Sequence, residues 1–342
     1  MNSFPPDPSS NGNAAIDLVY VNYHSIDDIV CSINSVKVLL KRCFLSAHVF
    51  IIDNSFVESG PDVVKSLSGF AKASSTADFH VSYCPSDVNM GFGSACNKAS
   101  RLCSSPLTIF VNCDTSFDDT DPAAFLALLA LFDVDDIVIA GPRVVGEDGL
   151  LHASCFSFDP ISILLKPARH IRRMGSSLRR VIPKYGSFKR RIDRITYEGM
   201  DKSSPVIVDW VSGCFAIVKH QFFVDVGGFD ERYFMYFEDV DLCRKARQYS
   251  KCVVFDPRVS VTHRAAHQSA RVKGIFRSIL INPLARYHMI SWIKYCYKWK
   301  RDMFAKGADV MDALFRRRVR SVSPAGYSLS FSAFDPISEP RQ

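Results

Sequence analysis

The stretch Val208–Leu242, VDWVSGCFAIVKHQFFVDVGGFDERYFMYFEDVDL, decides how the rest of the chain is read. Cys214–Val218 is an apolar strand, and Gly227-Gly228 turns the chain toward an exposed acidic pair, Asp230 and Glu231. The aromatic ribbon Tyr233, Phe234, Tyr236 and Phe237 then ends on three carboxylates, Glu238, Asp239 and Asp241. Aromatics packed beside carboxylates cost free energy unless the acids are hydrogen-bonded, metal-bound or used in chemistry. Glu238 and Asp239 also suit the first turn of a helix, where the dipole favours negative charge. That alternative accounts for the acids and leaves the aromatic approach unexplained.

Upstream of this stretch, strands and helices alternate. Ile16–Asn22 is a compact apolar strand, and Ser25 with Asp28 resembles a capping box opening a helix. Ile26, Ile29, Val30, Ile33, Val36 and Leu40 keep helical spacing within it. Further strands are expected at Ala47–Asp53, Phe79–Tyr83, Leu107–Asn112 and Asp136–Gly141, with helices near Pro61–Phe70, after the loop NMGFGSACN, and over Asp121–Phe132. This alternation implies an α/β fold with a largely parallel central sheet, whose ligands gather at the strand carboxyl ends. Asn22, Asp53 and Asn112–Asp114 stand at three such ends and together outline a nucleotide site. Downstream, a strand is expected over Val206–Val218, a helix over Glu238–Tyr249, and two short strands at Lys251–Asp256 and Val259–His263. Beyond Pro283, the residues Leu284, Tyr287, Trp292, Tyr295 and Trp299 fall on one broad helical face.

These elements suggest a disordered leader (1–14), a catalytic domain (15–265) carrying a basic insertion (160–202), a helical extension (266–320) and a flexible tail (321–342). The longest uncharged apolar run, Ala123–Phe132, is too short to span a bilayer, and the first residues have no basic-then-apolar signal pattern. Eleven cysteines, scattered without a CxxC pair, point to reduced thiols in a cytoplasmic setting and away from a disulfide framework or a zinc site. The net charge of +7 is unevenly spread. Ile161–Arg194 holds eleven Lys/Arg against one Asp, and Arg264–Arg320 holds fourteen against three acids. Segregated positive charge points to an anionic partner, either nucleic acid or a membrane surface. No RRM-like alternation of aromatic and basic residues supports nucleic acid. Aromatics interleave with the basic residues toward Arg316-Arg317-Arg318, which fits a helix lying in a membrane interface with its aromatic side inward.

The composite pattern W-x-x-G, GGFDE and F-x-Y-x-E-D-x-D-L resembles the acceptor-side signature of inverting family 2 glycosyltransferases, in particular the rhamnosyltransferase-like branch. The resemblance runs from Ile16 to about Phe304 and is weakest in the basic insertion. It implies a GT-A fold with a nucleotide-diphospho-sugar donor, Mg2+ or Mn2+ as cofactor, and an acceptor saccharide carried on a lipid. The donor implied is dTDP-rhamnose, with UDP-hexose or galactofuranose donors as the alternative. The setting implied is surface polysaccharide assembly by a cytoplasmic enzyme peripheral on the inner membrane. A nucleic-acid-binding protein and a transferase fold that binds sugar nucleotide without turnover are the competing readings.

The resemblance also distributes roles. Asp239 would be the base that takes the acceptor proton, with Glu238 and Asp241 as neighbours that tune or orient it; the residues alone do not separate Asp239 from Glu238. Asp53 would contact the nucleotide, although Asp-Asn-Ser also suits an Asx-turn. Gly91 and Asn97, in a glycine loop opening a helix, would serve the donor with Asn22 and Asn112. Asp114 and His263 would hold the cation, Asn112-Cys113-Asp114 replacing the D-x-D of many relatives with N-x-D. A plain turn explains N-x-D-T-S equally simply. His267 and Ser269 are secondary candidates near His263. Trp210, Gly213, Asp230 and Glu231 would line the acceptor pocket, an aromatic face against sugar C–H bonds and acids on hydroxyls, though Trp210 also suits a core.

Overall fold

The computed structural model describes residues 15–158, 203–264 and 282–301. The leader, the basic insertion, the tail, His267, Ser269 and Arg316–Arg318 lie outside the described residues. β1 (Ile16–Asn22), β2 (Ala47–Asp53), β3 (Phe79–Pro85) and β4 (Leu107–Val111) pair in parallel in the order β3-β2-β1-β4. The near-continuous apolar runs of β1 and β4 are those of strands covered on both faces. α1 (Ile26–Arg42), α2 (Phe56–Ser74) and α3 (Phe92–Ser100) form the crossovers.

Beyond β4 the sheet continues as β11 (Phe215–Lys219), β6 (Ile137–Val145), β12 (Cys252–His263) and β5 (Thr115–Ser116). β11 runs antiparallel between β4 and β6, and β12 is parallel to β6. β5 pairs antiparallel with the end of β12, while β7 (Leu151–His152) and β9 (Val206–Val208) attach to β6 and β12. Side chains divide between two cores. Leu18 on β1 packs with Ile29 and Ile33 of α1 and with Phe125 of α4 (Pro122–Ala130). Its neighbour Val19 faces the other way, with Ala95 of α3, Phe223 of α5 (His220–Asp225) and Val240 of α6 (Glu238–Gln248). The period of two along a strand puts successive residues on opposite layers.

Three local expectations give way. The single strand expected over Val206–Val218 is β9, β10 (Trp210–Val211) and β11, because β10 leaves the main sheet to pair with β8 (Cys155–Phe156). The two strands expected before His263 are one, with a register irregularity between Asp256 and Ser260 around Pro257, which has no N–H for a ladder. Ser25 precedes α1 without a side-chain cap bond, its hydroxyl donating instead to the Tyr23 carbonyl.

The β2–β3 margin carries a titratable pair. The His48 ring stacks on Phe50 at 4.0 Å, meets His80 edge-on at 4.7 Å, and lies 2.9 Å from the Ser82 hydroxyl. Burial, then the neighbouring His80, lowers the His48 pKa to about 4. A depressed pKa means the unfolded chain binds the proton first, so stability present above about 6.5 is lost as pH falls toward about 4. Denaturant midpoints of His48→Gln should lose part of the parent's decline between pH 7 and pH 4.5, on the order of 1 kcal/mol given the group's partial exposure. Identical pH profiles would show that His48 does not contribute.

Candidate active site

The carboxyl ends of the parallel strands do converge, but their side chains divide into two groups. Asn22 and Asp53, paired in register across β1 and β2, are fully buried. Asp53 accepts hydrogen bonds from Asn22 Nδ2 (2.9 Å), the Ser55 amide (3.0 Å) and hydroxyl (2.7 Å), and the Tyr83 hydroxyl (2.7 Å). Asn22 Nδ2 also lies 3.3 Å from the Ser55 hydroxyl, and its Oδ1 accepts from the Ser25 amide. Burial, with the Asp53 bond and charge, raises the Tyr83 phenol, so it stays a donor. Both side chains are thus hydrogen-bonded to protein neighbours at the ends of their strands.

Asn112 and Asp114 belong to the second group. After β4 the chain bends so that the Asn112 amide donates to the Cys214 carbonyl (2.9 Å) and the Arg264 amide to the Asp114 carbonyl (2.8 Å). This brings together residues 151 positions apart: Asn112 Nδ2 lies 3.3 Å from His263 Nε2, and Asp114 Oδ1 lies 3.0 Å from the same nitrogen. His152 of β7, which the sequence did not single out, brings its ring within 6.5 Å of the His263 ring. Among the described residues no group of three or more His, Cys, Asp or Glu is gathered for a metal. Asp114 and His263 nevertheless supply one carboxylate and one imidazole, with the Asn112 amide beside them. Such a set suits a hard cation that takes its remaining oxygens from a phosphate ligand and water.

Asp239 reaches the same region from the first turn of α6. Its Oδ2 accepts from the Gly213 amide at 2.9 Å and its Oδ1 from Val240 N at 2.9 Å. A Cβ at position 213 would stand 3.0 Å from the Asp239 Cβ, so glycine is what lets this carboxylate come so close to the backbone. The next residue, Cys214, carries the carbonyl that holds Asn112. Burial pushes the Cys214 thiol up to about 11, and the charges of Asp114 and Asp239 both add to the rise. One short turn therefore lies within electrostatic reach of the paired Asp114–His263 and of Asp239. A cavity beside it is lined by Phe92, Val211, Gly213, Phe229 and Asp239. Glu238, next to Asp239, is buried.

The remaining expected contacts hold the protein together. Asn97 donates to the Phe229 carbonyl and Glu231 and accepts from the Phe229 amide, bolting the GGFDE turn to α3. Gly91, at φ +82°, leaves room for the Phe234 carbonyl, which a Cβ would meet at 2.2 Å and which accepts from the Phe92 amide. The glycine loop and the aromatic ribbon are thereby locked to each other. Trp210 is 1% exposed and stacks on Phe156 at 4.2 Å, so it offers no face to a sugar; β10 turns it into the core. Asp230 is engaged by Arg232 and by Lys298 at 2.8 Å. Burial works against its charge, yet these bonds hold its carboxyl well below the usual range. Glu231 is exposed at the rim.

Asp241 differs most from its expected role. It is fully buried and accepts from Trp299 Nε1 (2.7 Å), Lys298 Nζ (2.7 Å) and the Tyr233 hydroxyl (3.2 Å). It therefore anchors α7 (Pro283–Lys298) and leaves Asp239 to Gly213. The rest of α7 grips the ribbon as well. The Ser291 hydroxyl donates to the Met235 carbonyl, Tyr287 packs on Phe234, His288 on Tyr236 and Phe237, and Tyr295 on Phe237. Tyr236 and Phe237 both adopt left-handed backbone, at φ +70° and +73°, immediately before Glu238 and Asp239. Such residues cost about 1–2 kcal/mol each and persist only under tight packing, which α7 provides. The inward aromatics of α7 are spent on this grip. The periodicity of Tyr287, Trp292, Tyr295 and Trp299 announced a buried face but not its partner.

No family model matches the chain. Over 64 residues it is 45% identical to the N-acetylglucosaminyl-diphospho-decaprenol L-rhamnosyltransferase of Mycobacterium tuberculosis (strain ATCC 25618 / H37Rv), a match covering 19% of this chain and 21% of that protein. Over 112 residues it is 32% identical to rhamnosyltransferase WbbL of Escherichia coli (strain K12), covering 33% of this chain and 39% of that protein. The chain thus spans about a fifth to two fifths of the length of the curated relatives it matches. Its fold is similar to that of the crystal structure of GalNAc-T7 with UDP, GalNAc and Mn2+, at a TM-score of 0.50 and 13% identity, over 90% of this chain and 54% of that one. An identity so low speaks for the fold alone. The matched segments are thus similar in sequence to rhamnosyltransferases, and the fold is the GT-A fold.

Proposed function

We propose that this protein transfers a sugar, with inversion, from a nucleotide-diphospho-sugar to a hydroxyl of a lipid-linked saccharide, with dTDP-rhamnose as the donor. The observation that carries this reading is the single turn Gly213-Cys214, which binds Asp239 on one side and the Asn112–Asp114 segment, itself paired with His263, on the other. Asp239 stands where the acceptor hydroxyl would enter and takes its proton as the oxygen bonds to the anomeric carbon. The bond from that carbon to the diphosphate breaks in line, and the nucleoside diphosphate leaves with the electron pair. Mg2+ or Mn2+ held by Asp114 and His263, with Asn112 beside them, would neutralise the charge gathering on the departing diphosphate. The relatives named as rhamnosyltransferases support the donor, and the first of them, named for a decaprenol-linked saccharide, supports the acceptor.

The test is a panel of dTDP-, UDP- and GDP-sugars scored by nucleoside-diphosphate release with a lipid-linked acceptor present. dTDP-rhamnose should give the highest turnover. Asp114→Ala should shift the divalent-metal titration upward by at least tenfold. Preference for a UDP-sugar would overturn the donor assignment, and an unchanged metal titration would remove Asp114 from the site.

A further inference from the structure

α7 has two faces, and only one is accounted for. Ser291, Tyr295 and Trp299 turn inward. On the other side, at spacings of three and four, Ile290, Ile293 and Tyr297 form an outward stripe, exposed by 48%, 54% and 70%. Arg286, Lys294 and, just past the helix end, Lys300 and Arg301 are exposed around it. Lys300 lies over the Tyr297 ring at 4.4 Å. No Asp or Glu occurs anywhere in Pro283–Lys298.

We propose that this outward face of α7 docks the protein on an anionic membrane surface, which deepens and rests on the reading of a lipid-linked acceptor. Half-exposed branched side chains in a row, framed by cations and free of acids, match the boundary between acyl chains and anionic headgroups. Sixteen residues cover about 24 Å of helix, which lies along such a boundary and is too short to cross it. No helix among the described residues is long and apolar enough to cross a membrane. A second copy of the chain would bring cations against cations, with no acid on the face to answer them. A nucleic acid would answer the cations and leave Ile290 and Ile293 without a role. Docking has a consequence for the site as well. The inner face of α7 grips the ribbon that leads into Asp239, so a membrane under the outer face sets the height of the cleft above the lipid that carries the acceptor.

The experiment is flotation of the full chain with vesicles of phosphatidylcholine containing a third phosphatidylglycerol, and with phosphatidylcholine alone. The parent should float with the anionic vesicles, and Ile290→Glu/Ile293→Glu should lower its partition by at least tenfold. Lys300→Glu/Arg301→Glu should act in the same direction, with a difference from the parent that shrinks as salt is added. Both variants should keep the parent's urea midpoint and its rate on a short-chain, water-soluble acceptor analogue. Full flotation of Ile290→Glu/Ile293→Glu would overturn the proposal. So would a parent that ignores vesicles, whether it forms a concentration-dependent dimer sensitive to these substitutions or binds RNA through them. Flotation is scored without any sugar nucleotide, so a chain that floats as described yet transfers no sugar would discard the functional reading and leave the docking face standing.

Discussion

Asp239→Asn should reduce sugar transfer by about 10²–10⁴-fold while leaving donor binding and the urea midpoint close to the parent values. The substitution is nearly isosteric, and an amide oxygen can still accept from the Gly213 amide, which Asp239 Oδ2 engages at 2.9 Å. What disappears is the capacity to take a proton from the acceptor hydroxyl. Steady-state nucleoside-diphosphate release, set beside titration of the donor, separates loss of chemistry from loss of binding. Glu238→Gln is the matched control. Glu238 is buried beside it, so a loss confined to Glu238→Gln would transfer the role of base to that residue. If Asp239→Asn turned over at the parental rate, Asp239 would be only a brace for the Gly213 turn.

Asp241→Ala should cost about 3–5 kcal/mol of stability, the range for removing one partner from a buried charged network. Three donors lose their acceptor at once: Trp299 Nε1, Lys298 Nζ and the Tyr233 hydroxyl. Tyr233, whose phenol burial and the Asp241 charge hold neutral, becomes a buried donor without its oxygen. Lys298 keeps Asp230 at 2.8 Å, so the latch loosens and need not open completely. Urea midpoints measure the cost, and Trp299 emission should shift to the red as its pocket admits water. Loss of α7 also frees the strained pair Tyr236–Phe237, so transfer should fall even where the chain remains folded. A cost below about 1 kcal/mol with parental Trp emission would show that α7 is held by its aromatic contacts without Asp241.

Much of the fold was legible because it depends on local pattern. Apolar runs of five to seven residues at Ile16–Asn22, Ala47–Asp53 and Leu107–Val111 could only be buried strands, and helical spacing between them required crossovers. The strand from Val206 to Val218 misled for the same reason. Its apolar pattern is the same whether the chain stays in one sheet or, as β10 does, steps out to pair with β8. The pairing of Asp114 with His263 was anticipated only through family resemblance, since nothing local links residues so far apart in the chain. His152 carried no signal at all. It reaches His263 because β7 folds back on β6.

Asn22, Asp53, Asn97 and Asp230 show where reading by residue type stops. Each is hydrogen-bonded to protein neighbours. A buried polar side chain must be satisfied, but sequence does not say whether a ligand or a neighbour satisfies it.

The sequence by itself determined the layered α/β order, the carboxylates opening α6, and the amphipathic character of α7, because strand and helix periodicity act within a few residues. Only the tertiary structure decided which acid faces the cleft and which anchors a helix. Asp239 and Asp241 are two positions apart on α6, so they point in different directions: one meets Gly213 in the turn before β11, the other Lys298 and Trp299 at the end of α7. That division is set by what packs on each side of the helix, and those neighbours come from remote parts of the chain.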